Sequence, residues 1–238
     1  MTNGLRLFPI LLLSGTLLGG SLAATAQAPA KADWVDTFSV DKQDFLSVGS
    51  NAYFRLEPGY TLVLAKGKAR LVITVLGETR LVDGVETRVV EERESKGGRL
   101  VEVSRNFFAF HPGDRGVYYF GEEVDIYKDG RIVGHEGAWE SGKNGARFGL
   151  MVPGQPEVGA RFYQEVAPGT AMDRARIESV REKLKTPAGE FENCLKTVET
   201  TPLEPFARES KIYAPGIGLI KDGSLLLVEY GRKEGKEY

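Results

Sequence analysis

The sequence predicts an all-β fold: a single antiparallel sheet of roughly a dozen strands, strongly curved or partly closed as a barrel, with little helix. Three observations predict it. From Tyr60 onward, short runs rich in Val, Leu, Ile, Thr, Tyr and Phe recur between Gly, Pro, Asp and Lys turn signals. Asp-Gly pairs, which supply the positive φ of a two-residue hairpin turn, stand at 83–84, 129–130 and 222–223, each between strand-like runs. No stretch carries a long apolar stripe at helical period, and the best helix candidate, 171–176, is under two turns.

The elements follow in chain order. Arg6, an apolar stretch from Leu7 to Leu22 and the small-residue run 23–28 form the three parts of a secretory signal peptide over residues 1–26, with Ala24 and Ala26 fitting the A-x-A cleavage pattern. The chain is therefore expected to be exported, periplasmic or extracellular, with no transmembrane segment after signal removal. Its one cysteine, Cys194, is far from the apolar run, which argues against a lipoprotein anchor. Residues 27–50 read as a flexible lead-in and an aromatic arm, in which Trp34, Phe38 and Phe45 lay rings on the main body. Residues 51–231 form the β domain and 232–238 a charged tail.

Within the domain, 60–65 pairs with 69–76 across Lys66-Gly67-Lys68, and 78–82 with 85–92 across Asp83-Gly84; Lys96-Gly97-Gly98 marks another turn. Further strands are expected at 100–110, 117–127, 160–166, 177–184, 191–200, 208–213 and 224–230. Along 117–127, alternation sets Tyr118, Phe120, Val124 and Ile126 on one face, expected inside, and Tyr119, Glu123, Asp125 and Tyr127 on the other. So many strands exceed a seven-stranded sandwich, and curling one sheet removes exposed edges. The alternative is two smaller sheets joined near 142–159.

Val117-Tyr118-Tyr119-Phe120-Gly121-Glu122-Glu123, the stretch His135-Glu136-Gly137-Ala138-Trp139-Glu140-Ser141-Gly142, Thr186-Pro187-Ala188-Gly189-Glu190-Phe191 and Tyr213-Ala214-Pro215-Gly216-Ile217-Gly218-Leu219-Ile220 carry a resemblance. Together they are similar to the motifs of a family of uncharacterised secreted bacterial β-rich proteins, over about residues 51 to 231. The departure is at 106–115, where Phe107-Phe108-Ala109-Phe110-His111-Pro112 replaces a more polar, tryptophan-containing approach. The resemblance implies secretion and a β fold; it carries over no activity and no site residue.

Composition narrows the chemistry. With 31 Lys and Arg against 33 Asp and Glu and no long basic run, nothing points to nucleic acid. One cysteine and two histidines exclude a disulfide framework and an imidazole-rich metal site, and no metal or cofactor is implied. No catalytic set is identified; the nearest approach is His111, or His135 with Glu136. The pair His135-Glu136 lacks the second histidine four residues on, where Trp139 stands, and on a strand its two side chains diverge. His135 reads rather as a solvated or turn-capping histidine.

Glu122, Glu123 and Asp125 match no calcium loop and no two-carboxylate spacing. Cys194 lacks a histidine partner in sequence, and no Gly-x-Ser-x-Gly elbow or Walker loop occurs. What remains is a supply of aromatics in the middle third. Tyr118, Phe120 and Trp139 are the expected ligand-binding residues if a curved sheet lines a pocket with them, although the same rings would serve as ordinary core.

Three functions stay open. The first is a non-enzymatic binding module for an apolar or amphipathic small molecule or lipid, by analogy with periplasmic lipoprotein-carrier half-barrels. The second is an envelope interaction or structural protein using a sheet edge or the arm, in which deletion of 33–46 leaves the body folded. The third is a hydrolase built on His111 or His135 with nearby acids.

Overall fold

A computed structural model describes residues 33–232; the expected signal peptide, residues 27–32 of the lead-in and 233–238 of the tail lie outside the described residues. Asp83 and Gly84 take φ of 51° and 82°, and this pair turns Ala69–Val82 (β2) into Val85–Lys96 (β3). Asp129 and Gly130, at 52° and 76°, do the same between Gly116–Lys128 (β5) and Arg131–Gly134 (β6). At the third Asp-Gly pair only Gly223 is left-handed, at 52°, between Gly218–Asp222 (β14) and Leu225–Arg232 (β15). The remaining strands are Tyr60–Lys66 (β1), Arg99–His111 (β4), Trp139–Glu140 (β7), Arg147–Val152 (β8), Arg161–Tyr163 (β9), Glu165–Val166 (β10), Arg174–Thr186 (β11), Gly189–Thr201 (β12) and Glu204–Ala214 (β13). Strand therefore begins inside the stretch read as the best helix candidate, and the described residues contain no α-helix, only a 3-10 turn at Lys42–Asp44.

All fifteen strands belong to one antiparallel sheet, ordered β10-β8-β5-β4-β3-β2-β1-β15-β14-β13-β12-β11-β9, with β6 and β7 on β5. The two ends of that order, β10 and β9, are separated in sequence by Gln164 alone. One short segment thus pairs with β11 through Arg161–Tyr163 and with β8 through Glu165–Val166, which nearly closes the sheet into a barrel. The seam is tight: a Cβ at Gly149 would lie 2.4 Å from the backbone of Gln164. Two separate sheets are therefore not formed, because β8 within the Gly- and Pro-rich stretch pairs with β5 and carries the sheet through to the seam.

A bulge in β5 overturns the expected face assignment. Phe107 pairs with Gly121 and Phe108 with Tyr119, so Phe120 is an extra residue and alternation changes phase there. Gly121 accepts φ of 146° at this point, beneath the Trp139 carbonyl. Tyr119 consequently faces the lumen, where its hydroxyl donates to Asn106 Oδ1 at 2.6 Å and its ring stacks on Phe108. Val124, opposite Ser104, stays on the lumen side as expected, and Ile126, opposite Glu102, shares that face. Tyr118 and Phe120 instead point out of the barrel, where they pack with Val82, Val85, Val89 and Phe107.

That outer aromatic layer is covered by the arm. Val35 bridges to the strand at Phe162, and Leu46 exchanges backbone hydrogen bonds with Phe110. Between these anchors Phe38 meets Tyr118, and Phe45 meets Tyr118, Phe120 and Phe148 at ring separations of 5.2 to 5.9 Å. The chain then crosses one end of the barrel. Asn51 Nδ2 donates to the carbonyls of Arg115 and Val152, Gly216 N donates to the Ala52 carbonyl, and Phe54 lies against Phe108. Residues 50–57 therefore strap the β4–β5 turn, the end of β8 and the β13–β14 turn together across one mouth.

Candidate functional site

Beneath this strap lies a cavity of about 60 Å³, enough for a few waters. The apolar part of its lining comes from Phe54, Leu62, Ile73, Val75, Val90 and Phe108. The polar and ionic part comes from Arg55, Glu92, Lys211, Tyr213 and Asp222, with Glu92 directly beside Ile73 in the sheet. Strand alternation places them. Val90 and Glu92 are two apart on β3, Lys211 and Tyr213 two apart on β13, and Asp222 is the register partner of Lys211. Glu199 on β12 joins the same group opposite Glu209.

Lys211 is the centre of this cluster. Its Nζ is 3.1 Å from Glu199 Oε2 and 3.9 Å from Asp222 Oδ1, while Gln164, at the barrel seam, donates to Glu199 Oε1 at 3.1 Å. The Tyr213 hydroxyl, on a side chain only 1% exposed, meets no hydrogen-bond partner among the described residues, and neither does Thr197 Oγ1 or Asp222 Oδ1. Leaving such a group unsatisfied costs about 1–3 kcal/mol, so these atoms are a real expense to the fold.

Electrostatics follow from burial and crowding. Burial pushes the Glu92 carboxyl up to about 8, against the pull of Lys211 and with the repulsion of Asp222, Glu94 and Glu122. Glu209 rises to about 7, first by burial and then by repulsion from Asp222. Asp222 is raised too, by burial, with Lys211 opposing. Burial would lower the Lys211 amine, but Asp222 and Glu199 more than offset it and hold the amine well above its ordinary value. At neutral pH the lumen thus holds a charged lysine, a neutral tyrosine and carboxyl groups that retain protons.

Glu92→Gln tests this directly. Because the folded-state value is raised, the acid contributes most stability below about pH 4.5 and loses it as pH rises towards 8. Glu92 keeps some contact with the lumen, so the expected gain of the variant over the parent is about 2–4 kcal/mol at pH 9, below the full linkage value. Near pH 5 the gain should vanish. Urea unfolding at the two pH values measures it, and equal stabilisation at both would show that the carboxyl is not held neutral.

The residues singled out from sequence lie elsewhere. Tyr118 and Phe120 are under the arm, outside the barrel. Trp139 packs edge-on against Tyr119 with ring centres 5.3 Å apart, beside the lumen but not in the cavity wall. His111 Nδ1 is 2.9 Å from Asp114 Oδ1; the same carboxylate accepts from the Tyr118 hydroxyl at 2.5 Å and from Gly116 N, so the group closes the β4–β5 turn beneath Phe45. The hydrogen bonds from Tyr118, Gly116 and His111 hold the Asp114 carboxyl below its usual range in spite of its burial.

His135 is exposed, with Nδ1 at 2.7 Å from the Val124 carbonyl and 3.1 Å from Asp125 Oδ1, and Glu136 is exposed beside it. His111 lies opposite Gly116 at the start of β5 and His135 beside Val124 and Asp125, about 25 Å along the strand at the usual rise per residue. They cannot act on one substrate atom. The described residues contain no group of three His, Cys, Asp or Glu side chains placed to hold a metal ion.

Sequence reading passed over the lumen cluster because its members stand in four separate strands. The available signal was parity: Glu92 and Glu94 fall in phase with Val90, and Lys211 with Tyr213. The chain matches no protein-family model, no curated protein and no solved structure.

Proposed function

We propose that the chain is an exported binding protein that takes a compact amphipathic small molecule into the barrel lumen. One observation carries this reading: the cavity is lined by apolar and ionic side chains together, and the Tyr213 hydroxyl in that lining is buried without a partner. A fold that only needed a core would pack this space with apolar side chains, since unpaired buried polar groups destabilise. The retained polar atoms fit a partner that arrives from outside. Size bounds that partner. Pockets that bury drug-sized ligands measure roughly 300–1,000 Å³, so about 60 Å³ favours a compact molecule over a lipid chain.

The test is mass spectrometry of the mature protein purified from its native envelope, under native and denaturing conditions. An added mass that is lost on denaturation is the expected result, and its value identifies the ligand. A clean mass in both would turn the reading to an envelope interaction protein. That second reading has its own observation: at the β12–β13 hairpin, Phe206 is fully exposed and Leu203 is 45% exposed. A pull-down with Phe206→Ser as control would then follow.

A further inference from the structure

The lumen cluster holds more acids than bases and keeps protons on some of them at neutral pH. Glu92 from β3, Glu199 from β12, Glu209 from β13 and Asp222 from β14 surround one ammonium, that of Lys211. Lys211 sits closest to Glu199, and Asp222 Oδ1 is too distant from it for a direct hydrogen bond. Beside them the Tyr213 hydroxyl, 99% buried and in the cavity wall, has no partner. A ligand carboxylate would leave Asp222 Oδ1, a buried acceptor, without the donor it lacks. A neutral head would leave the excess of acids as it is. A small organic cation would donate to what the lining offers, carboxylate oxygens and a hydroxyl oxygen, with Leu62, Ile73 and Phe108 in the same lining for an apolar body.

Resting on the lumen-binding reading, we infer that the ligand is an organic amine bound as its ammonium form, seated between Asp222, Glu92 and the Tyr213 hydroxyl. A divalent metal fits less well, since no three ligand side chains converge among the described residues. The amine stands in for protons that the acids otherwise keep, so binding releases protons and tightens as pH rises. The groups that face Glu92 and Glu209 in this exchange are Glu94 on β3, Glu122 on β5, Glu199 on β12, Lys211 on β13 and Asp222 on β14.

Three probes with one apolar body separate the possibilities: n-butylamine, 1-butanol and butyrate, titrated into the mature chain at pH 6 and pH 8 and followed by amide shifts and calorimetry in two buffers of different ionisation enthalpy. The expected result is that only butylamine shifts amides of β3, β13 and β14, binds about tenfold or more tightly at pH 8, and releases protons. Asp222→Asn should weaken it about tenfold while leaving the far-ultraviolet spectrum unchanged; Glu92→Gln provides a second variant should the first fold poorly. Butanol or butyrate binding as tightly as butylamine would overturn the amine inference and leave lumen binding standing. Butylamine binding that neither variant weakens would overturn it as well. If none of the three binds, the inference falls, and the native mass of the envelope-purified protein then decides lumen binding separately.

Discussion

Lys211→Met is expected to destabilise the barrel by about 3 kcal/mol or more at pH 8, because removing one partner of a buried pair strands the other charges. Lys211 is the cation that Glu92, Glu199, Glu209 and Asp222 share, and methionine keeps its length while removing the charge. The effect should depend on pH. Without the ammonium, the carboxyl values move up further, so the penalty grows as pH rises through the range where the parent's acids ionise, about 7 to 8. At pH 5 Glu92 and Glu209 already carry protons and the loss should shrink towards a packing term of about 1 kcal/mol. Urea unfolding at the two pH values reads the difference. An equal loss at both would assign the role of Lys211 to its hydrocarbon stem, and the lumen would no longer be an electrostatic site. Lys211→Met with Glu199→Gln should recover part of the stability at pH 8, since the closest stranded acid is then gone.

The fold was legible in the sequence where local chemistry decides it. Asp83-Gly84 and Asp129-Gly130 act through their own backbone angles, and the flanking runs pair as the alternation requires. Legibility stopped where one residue shifts parity. Nothing local marks Phe120 as an extra residue; the bulge is set by its pairing with β4, and it sends Tyr118 and Phe120 out of the barrel while bringing Tyr119 in. The same limit hid the site. Asp222 reads as a turn residue before Gly223, and Glu92 as one of several acids on a polar strand. Only the closure at Gln164 puts β3 and β12 to β14 around one lumen, which makes four distant acids neighbours. Fifteen strands replace roughly a dozen: β6, β7 and β10 are too short to show a period, β8 and β14 lie outside the expected runs, and 69–76 and 78–82 form the single strand β2.

The arm yields the second large effect. Phe45→Ala is expected to remove about 3–4 kcal/mol, in the range found for buried phenylalanines, and to lower Tm by about 10 °C in a domain of this size. Phe45 is 8% exposed and lies among His111, Tyr118, Phe120 and Phe148, so truncation opens a cavity in a second core on the outer face of the sheet. The neighbouring Leu46 holds its place mainly through backbone bonds to Phe110, and with its side chain 47% exposed Leu46→Ala should change stability by under about 1 kcal/mol. This pairing bears on function. An arm that captures a partner should be removable, and deletion of 33–46 would then spare the body. The structure points the other way: that deletion strips Phe38 and Phe45 from an aromatic layer and leaves Tyr118 and Phe120 in water. Calorimetry of Phe45→Ala separates the cases without deleting anything. A Tm within 2 °C or so of the parent's would mean that the arm is detachable in solution, and its rings would become the first surface to test for a protein partner.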